Sequence, residues 1–515
     1  MLTTNTIIQE RETIIISTQE ISSSIHQKRP LILVALLLAI FMSAIEGTII
    51  ATAMPSIVAD LGGFSLFSWV FSGYLLLQAI TIPIYGKLAD LFGRKPVILI
   101  GIILFLIGSL ACGFAETMVQ LIFFRMLQGL GAGAVQPIAM TLVGDLYSLE
   151  ERGKIQGYLA SVWGISSVIG PAVGGLFVQF IDWAWVFWMN IPIGILSMVF
   201  LILFLKETTE KKKPAIDYLG SLYLLITVSP LMLLLIGGGT IWPWNSWPIL
   251  LMVVLTVLGL VLFLLQETRA PEPMMPLTLW KNRIISISNL AGLTTGIILI
   301  GLSTFLPTYL QGVIELTPTA AGFVLASMSI SWSISATVAG KKLIHFGFRR
   351  MIVAGGVILL IGVSFFAVMK PEYGPYFPMS GAIIIGLAMG MLYTTFTVVI
   401  QNSVPWNQRG VATASHMFTR ILGNTLGAAL LGGILNARLG PFLAQQRAVT
   451  GLNVDLDVAN ELLDPEKKAV LSQQVVDVLK EGLSLSLHSV YMTVAAIAVI
   501  TLILIFFFPK KALQS

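Results

Sequence analysis

The chain has 515 residues, of which 56% are hydrophobic and only 11% charged, with a mean hydropathy of +0.90. Soluble domains carry about 25% charged residues, so a water-soluble globular class is excluded. The formal charge of +5 does not indicate nucleic acid, because Lys and Arg sit in short tracts between apolar runs, as membrane topology requires.

Runs of about 20 apolar residues, each long enough to cross a hydrocarbon core of about 30 Å, recur along the chain. The expected fold class is therefore an all-α polytopic membrane protein. Residues 1–29 hold Glu10, Glu12 and Glu20 and no basic segment leading into an apolar one, so they read as a polar cytoplasmic tail. Fourteen spans follow, near 30–56, 66–88, 96–115, 119–143, 154–180, 184–205, 218–238, 247–266, 284–313, 319–341, 351–369, 376–400, 409–436 and 484–508. A loop over 437–483 precedes the last span, and 509–515 form a second tail. Within that loop, D464-P-E-K-K-A-V-L-S-Q-Q-V-V-D-V-L-K480 has helical periodicity and predicts an amphipathic helix that either caps the last two spans or acts in gating. Cys112 is the only cysteine, so no intrachain disulfide forms.

An even number of spans puts both termini on one face. Arg94-Lys95, Arg152/Lys154, Lys211-Lys212-Lys213, Lys281/Arg283, Lys341-Lys342, Arg349-Arg350 and Lys510-Lys511 share that face, which the positive-inside rule makes cytoplasmic. Trp183, Trp185, Trp188, Trp242, Trp244 and Trp247 cluster toward the opposite interface, as belt residues do.

The chain also repeats itself. G86-K-L-A-D-L-F-G-R-K-P96 is echoed by G340-K-K-L-I-H-F-G-F-R-R350. Arg152-Gly153, Gly170, Gly129 and Gly133 match Arg409-Gly410, Gly427, Gly386 and Gly390 at one common offset. Two six-helix halves, 30–205 and 283–508, thus flank an inserted two-helix region at 206–282.

Several residues resist a purely structural reading. Glu46, in I-E-G-T-I-I-A-T-A-M-P, is the one acid deep inside a span. Low dielectric disfavours a charged carboxylate, so such an acid suits proton uptake and release; the bland alternative is a permanently protonated group bonded to a backbone carbonyl. Arg125, inside span four, costs several kcal/mol unless it finds a partner or water, or snorkels to an interface. Gln128 shares its helix face. Arg420 lies deep in span thirteen with His416 at i−4 and Asn424 at i+4, a polar stripe that either lines a pathway or clamps two helices. Trp163 and Trp332 sit mid-span, where aromatic faces could bind flat cations or pack against neighbours. Gln78 and Asn289 complete the candidate pathway set.

In the first loop motif, Gly86 and Gly93 permit a tight turn, while Asp90 can face Arg94 or a neighbouring helix N-terminus; solvated loop charges are the alternative. Asp145, near the inner end of span four, joins this group as a candidate conformational latch. In the echo, Ile344 replaces the acid and Phe348 the first arginine. Span five carries Gly170, Pro171, Gly174 and Gly175, whose small faces admit a close helix: either one of the other half, sealing one end of the pathway, or a neighbour in ordinary small-residue packing.

These motifs together resemble the major facilitator superfamily, and within it the fourteen-span drug:H+ antiporter family. G86–P96 resembles its loop signature, R125-M-L-Q-G-L-G-A-G-A134 its buried-arginine motif, and G170-P-A-V-G-G175 its antiporter motif, a resemblance that favours the seal. The first-span motif usually has Asp where this chain has Glu46. The resemblance covers about 30–508 and implies a proton-coupled antiporter of the plasma membrane, exporting lipophilic, often cationic, small molecules by alternating access. It implies protons, a small-molecule substrate and the bilayer as partners, a monomer, and no cofactor, metal or enzymatic activity. A specific metabolite or lipid carrier and a non-transporting receptor are the competing expectations.

Overall fold

The computed structural model describes residues 28–509, apart from 51–52, 55, 58–59, 63–66, 206, 208–216, 239–241, 272, 274, 451, 453 and 455–469. Fourteen long helices lie among the described residues. They are α1 (Lys28–Ile50), α2 (Phe67–Phe92), α3 (Arg94–Cys112), α4 (Met118–Leu146), α5 (Leu149–Phe180), α6 (Asn190–Phe204) and α7 (Tyr218–Gly237). Then follow α8 (Trp247–Arg269), α9 (Arg283–Gly312), α10 (Pro318–Phe346), α11 (Phe348–Ala367), α12 (Tyr376–Asn402), α13 (Arg409–Thr450) and α14 (Gln473–Phe506). Thirteen of the described helical segments are long and apolar enough to cross a membrane. The remaining helix, α5, has 32 residues and packs along α10.

Helix starts are fixed by short polar side chains. Thr117, Ser148, Asp217, Asn282, Thr317 and Ser472 each accept a hydrogen bond from a backbone N–H of the first turn. Ser148 and Glu151 form a reciprocal capping box at the start of α5. Gly93 and Gly347, at φ 99° and 83°, make the tight α2–α3 and α10–α11 turns that a side chain would strain.

The echo in the sequence recurs as contacts. Gly129 and Gly133 of α4 press on the backbone of Tyr74 and Gln78 in α2; Gly386 and Gly390 of α12 press on Met328 and Trp332 in α10. The largest apolar cluster lies within 279–508, and a second joins α1–α8 to Ala414, Met417 and Phe418 of α13. The inserted α7 and α8 pack on each other, tied by Gln266 Nε2 donating to Asp217 Oδ1 at 2.8 Å.

One expectation changes. The segment 437–483 is not a loop throughout: α13 continues to Thr450 and α14 begins at Gln473. Leu439 and Leu443 share one apolar cluster with Leu479 and Leu483, so the two helices continue as a packed pair, and Lys480 meets Glu315 at 2.7 Å. The predicted helix start at Asp464-Pro465 lies outside the described residues, as do the tails 1–27 and 510–515.

Candidate functional site

Three polar clusters break the apolar interior. In the first, Glu46 of α1 and Arg125 of α4 are 0% and 2% exposed and meet at 2.7 Å through Oε1 and Nη1. Asn190, at the start of α6, donates Nδ2 to Glu46 Oε2 at 2.6 Å. The guanidinium also donates to Gln128 Oε1 at 2.5 Å and Val70 O at 3.2 Å, and stacks over Tyr74 at 4.2 Å. Ser109 ties the cluster together, accepting from Gln128 and Asn190 at 3.2 Å each. Each carboxylate oxygen therefore has a donor, which is what permits a buried pair to persist where an isolated charge would not.

The second cluster lies at the end of the bundle that carries the basic tracts. Asp90 accepts from the N–H groups of Gly410 and Val411, in the first turn of α13, at 3.1 and 2.8 Å. A negative group is favoured at that positive helix end. Arg94 bridges Asp90 and Asp145 at 2.8 and 3.0 Å, donates to Trp406 O at 3.0 Å, and stacks on the Trp406 ring at 3.9 Å. Arg409 meets Asp145 at 3.1 Å, and Arg152 donates to Asn402 Oδ1 at 2.8 Å. Gly86 allows α2 to touch Ala414, a Cβ there also coming within 3.1 Å of Gly410 O. Gly153 and Gly340 put α5 and α10 in backbone contact at the same end. Among the described residues, the hydrogen bonds and ion pairs joining α1–α6 to α9–α14 run from this end only as far as Ser333, whose Oγ donates to Ala160 O at 3.0 Å.

The third cluster is the α13 stripe. His416 is buried, Arg420 stacks over Tyr393 at 4.5 Å, and Asn289 of α9 donates to Ser415 Oγ at 3.1 Å. His416, Arg420, Trp332 and Tyr393 line one small cavity of about 20 Å³.

The sequence profile of the Major Facilitator Superfamily matches residues 36–428. The chain belongs to the major facilitator superfamily. Relatives within it include the Multidrug transporter protein MdtP of Bacillus subtilis (strain 168), 35% identical over 93% of each chain. The Multidrug resistance protein 3 of the same organism is 33% identical over 94% of this chain and 96% of its own. The fold likewise resembles that of the human organic anion transporter MFSD10 (TETRAN), at TM-score 0.63 and 13% identity over 93% of this chain and 99% of that one. The proton:xylose symporter XylE aligns at TM-score 0.59 and 13% identity over 95% and 97%.

Set on this major facilitator fold, the residues singled out from sequence sort unevenly. Glu46, Arg125 and Gln128 form one network, and Gly86, Asp90, Gly93, Arg94 and Asp145 another. Asn289, His416, Arg420, Asn424 and Trp332 gather around α13. Gln78 lies apart on α2, buried beneath Gly133 of α4. Trp163 is 42% exposed on α5 and does not line the small cavity at Arg420.

The glycines of α5 act elsewhere than expected. Gly170 packs on Thr48 of α1, in its own half, and Thr48 donates to Ser166 O at 3.0 Å. Gly175 faces open space, Gly174 is buried, and the Pro171 side chain lies outside the described residues. Contact with the other half falls instead on Gly153, Gly157 and Gly164, against α10. Sequence reasoning missed Asn190, Ser109, Tyr74, Tyr393 and Trp406. For Tyr74 and Tyr393 the signal was indirect: a lone arginine within a span, Arg125 or Arg420, needs a partner, and an aromatic face can serve. Asn190, at the edge of an apolar run, carried none.

Proposed function

We propose that this major facilitator protein is a proton-coupled antiporter that exports lipophilic small molecules across the plasma membrane, as a monomer with both termini cytoplasmic. That its relatives include a multidrug transporter and a multidrug resistance protein supports drug export as the activity. The observation that carries the coupling is the enclosed Glu46–Arg125 pair, the only ion pair buried on both sides that joins two spanning helices deep within the bundle among the described residues.

With the basic end cytoplasmic, this conformation is closed on the cytoplasmic side by the Asp90–Arg94–Asp145–Arg409 network. Protonation of Glu46 removes the counter-ion of Arg125, and Arg125 cannot lose its own proton in compensation. The rearranged pair acts on α1, and through Thr48 and Gly170 on α5, whose other end holds α10 at Gly153. Breaking the latch then lets the halves rock, exposing the pathway to the other side. Release of the proton inward restores the pair and the closed cytoplasmic end. A substrate whose charged group reaches this pair competes with Glu46 or with Arg125 for its partner, and that competition links cargo to proton.

The test is Glu46→Gln in proteoliposomes. Wild type is expected to accumulate a lipophilic dye in response to a pH gradient, and the variant to lose that response while keeping downhill exchange. Gradient-driven transport at the wild-type rate in Glu46→Gln refutes the coupling role.

A further inference from the structure

Three charged side chains lie deep in the spans described above, and their charges do not cancel. Glu46 and Arg125 neutralise each other at 2.7 Å. Arg420 is left over. Among the described residues its guanidinium has no carboxylate within salt-bridge reach, and no protein oxygen accepts a hydrogen bond from it; it stacks on the face of Tyr393 at 4.5 Å. Arg420 is half-buried, and its contact with the Tyr393 ring leaves the guanidinium donors free for an anion. The elements packed around it offer none: α9 presents Thr295, α10 Trp332, α12 Tyr393, and α13 His416 and Asn424, with glycines and apolar residues between.

Other features point to a ligand at the same place. His416 is almost wholly buried and leaves Nδ1 without a partner, as Asn424 leaves Oδ1. The cavity that His416 and Arg420 border, about 20 Å³, has room for about one water-sized group. The Trp332 indole, a donor only, lines it too. Tyr393, Ile421 and Leu422 pack against the apolar cluster of the N-terminal helices, so the cavity sits beside the seam between the halves.

We propose that Arg420 is an anion subsite, and that the substrates this protein selects are lipophilic molecules carrying a carboxylate or similar anionic group, zwitterions included. The proposal rests on the reading of the protein as a small-molecule exporter. The anionic group binds the free guanidinium fork, which suits a planar carboxylate better than an ammonium would. The lipophilic body lies along the aromatic faces of Trp332 and Tyr393. With the first half electrically neutral, the second half sets the preference, and it repels lipophilic cations.

The test uses the full chain in detergent and two dyes with one ring system: a rhodamine bearing a free carboxylate and its methyl ester, titrated by fluorescence anisotropy. Wild type is expected to bind the acid about tenfold tighter than the ester, the ratio that about 1.4 kcal/mol produces. Arg420→Gln is expected to remove that preference by weakening the acid and, with the repelling charge gone, binding the cationic ester at least as tightly as wild type, which also shows that the variant is folded. Arg420→Lys is expected to keep most of the preference. Equal or tighter binding of the ester by wild type overturns the anion subsite alone, as does an equal weakening of both dyes in Arg420→Gln. Binding of neither dye by wild type overturns the exporter reading and the subsite with it.

Discussion

The contact between Gly153 of α5 and Gly340 of α10 sets how tightly the basic end closes, and one carbon tests it. A Cβ at Gly153 would stand on the Gly340 carbonyl and Cα, far inside the ~3.5 Å that non-bonded carbons keep. Those atoms are backbone, so no side-chain rotation relieves the clash, and α5 and α10 must part. Overpacking of this kind costs about 1–3 kcal/mol. The cost falls only on the conformation in which the helices touch, so Gly153→Ala shifts the closed-to-open ratio about 5- to 150-fold. Lys154 and Lys342 are exposed on the two helices, and Cys112, the one native thiol, is buried. Spin labels at Lys154→Cys and Lys342→Cys, on a Cys112→Ser background, report the separation by pulsed electron resonance. The expected result is a longer-distance population that grows at least fivefold over the Gly153 parent. An unchanged distance distribution refutes the claim that this contact holds the closed end.

The same label pair reads the latch. Asp90→Asn removes the charge that accepts from Gly410 and Val411, and charge-assisted hydrogen bonds contribute about 1.5–3 kcal/mol; the open population is expected to rise, and no rise contradicts the latch. Asn190→Ala removes the 2.6 Å hydrogen bond to Glu46, leaving one carboxylate oxygen without its donor at a cost of about 1–3 kcal/mol. A lower thermal midpoint in detergent, followed by intrinsic fluorescence, is the expected outcome, and an unchanged midpoint contradicts the role of Asn190 in holding the pair.

The sequence made the chemistry of these clusters legible more readily than their partners. Glu46 and Arg125 stood out because charge inside an apolar run needs a cause, and opposite signs in one half have few other places to go. Asp90 stood out by motif, yet its partner on α13 lies far along the chain, and Arg409 was visible only as the repeat mate of Arg152. Gly170 shows the limit of small-residue patterns: a glycine face announces that something approaches, not which helix does. The segment 437–450 read as loop because Arg438, Gln445, Gln446 and Arg447 interrupt its apolarity. Helix formation follows propensity and packing rather than apolarity, and Ala, Leu, Gln and Arg carry α13 onward until it ends at Thr450. Asn190 could not be found from sequence at all, since its role exists only once α6 is laid against α1.

The central claim is that substrate and proton meet through the one acid enclosed between α1 and α4. It is tested most directly by adding lipophilic compounds to detergent-solubilised protein in weak buffer and following the pH. Wild type is expected to change its proton occupancy when a transported compound binds, and Glu46→Gln to bind the same compound with no proton movement. Equal proton movement in the two proteins would contradict the account.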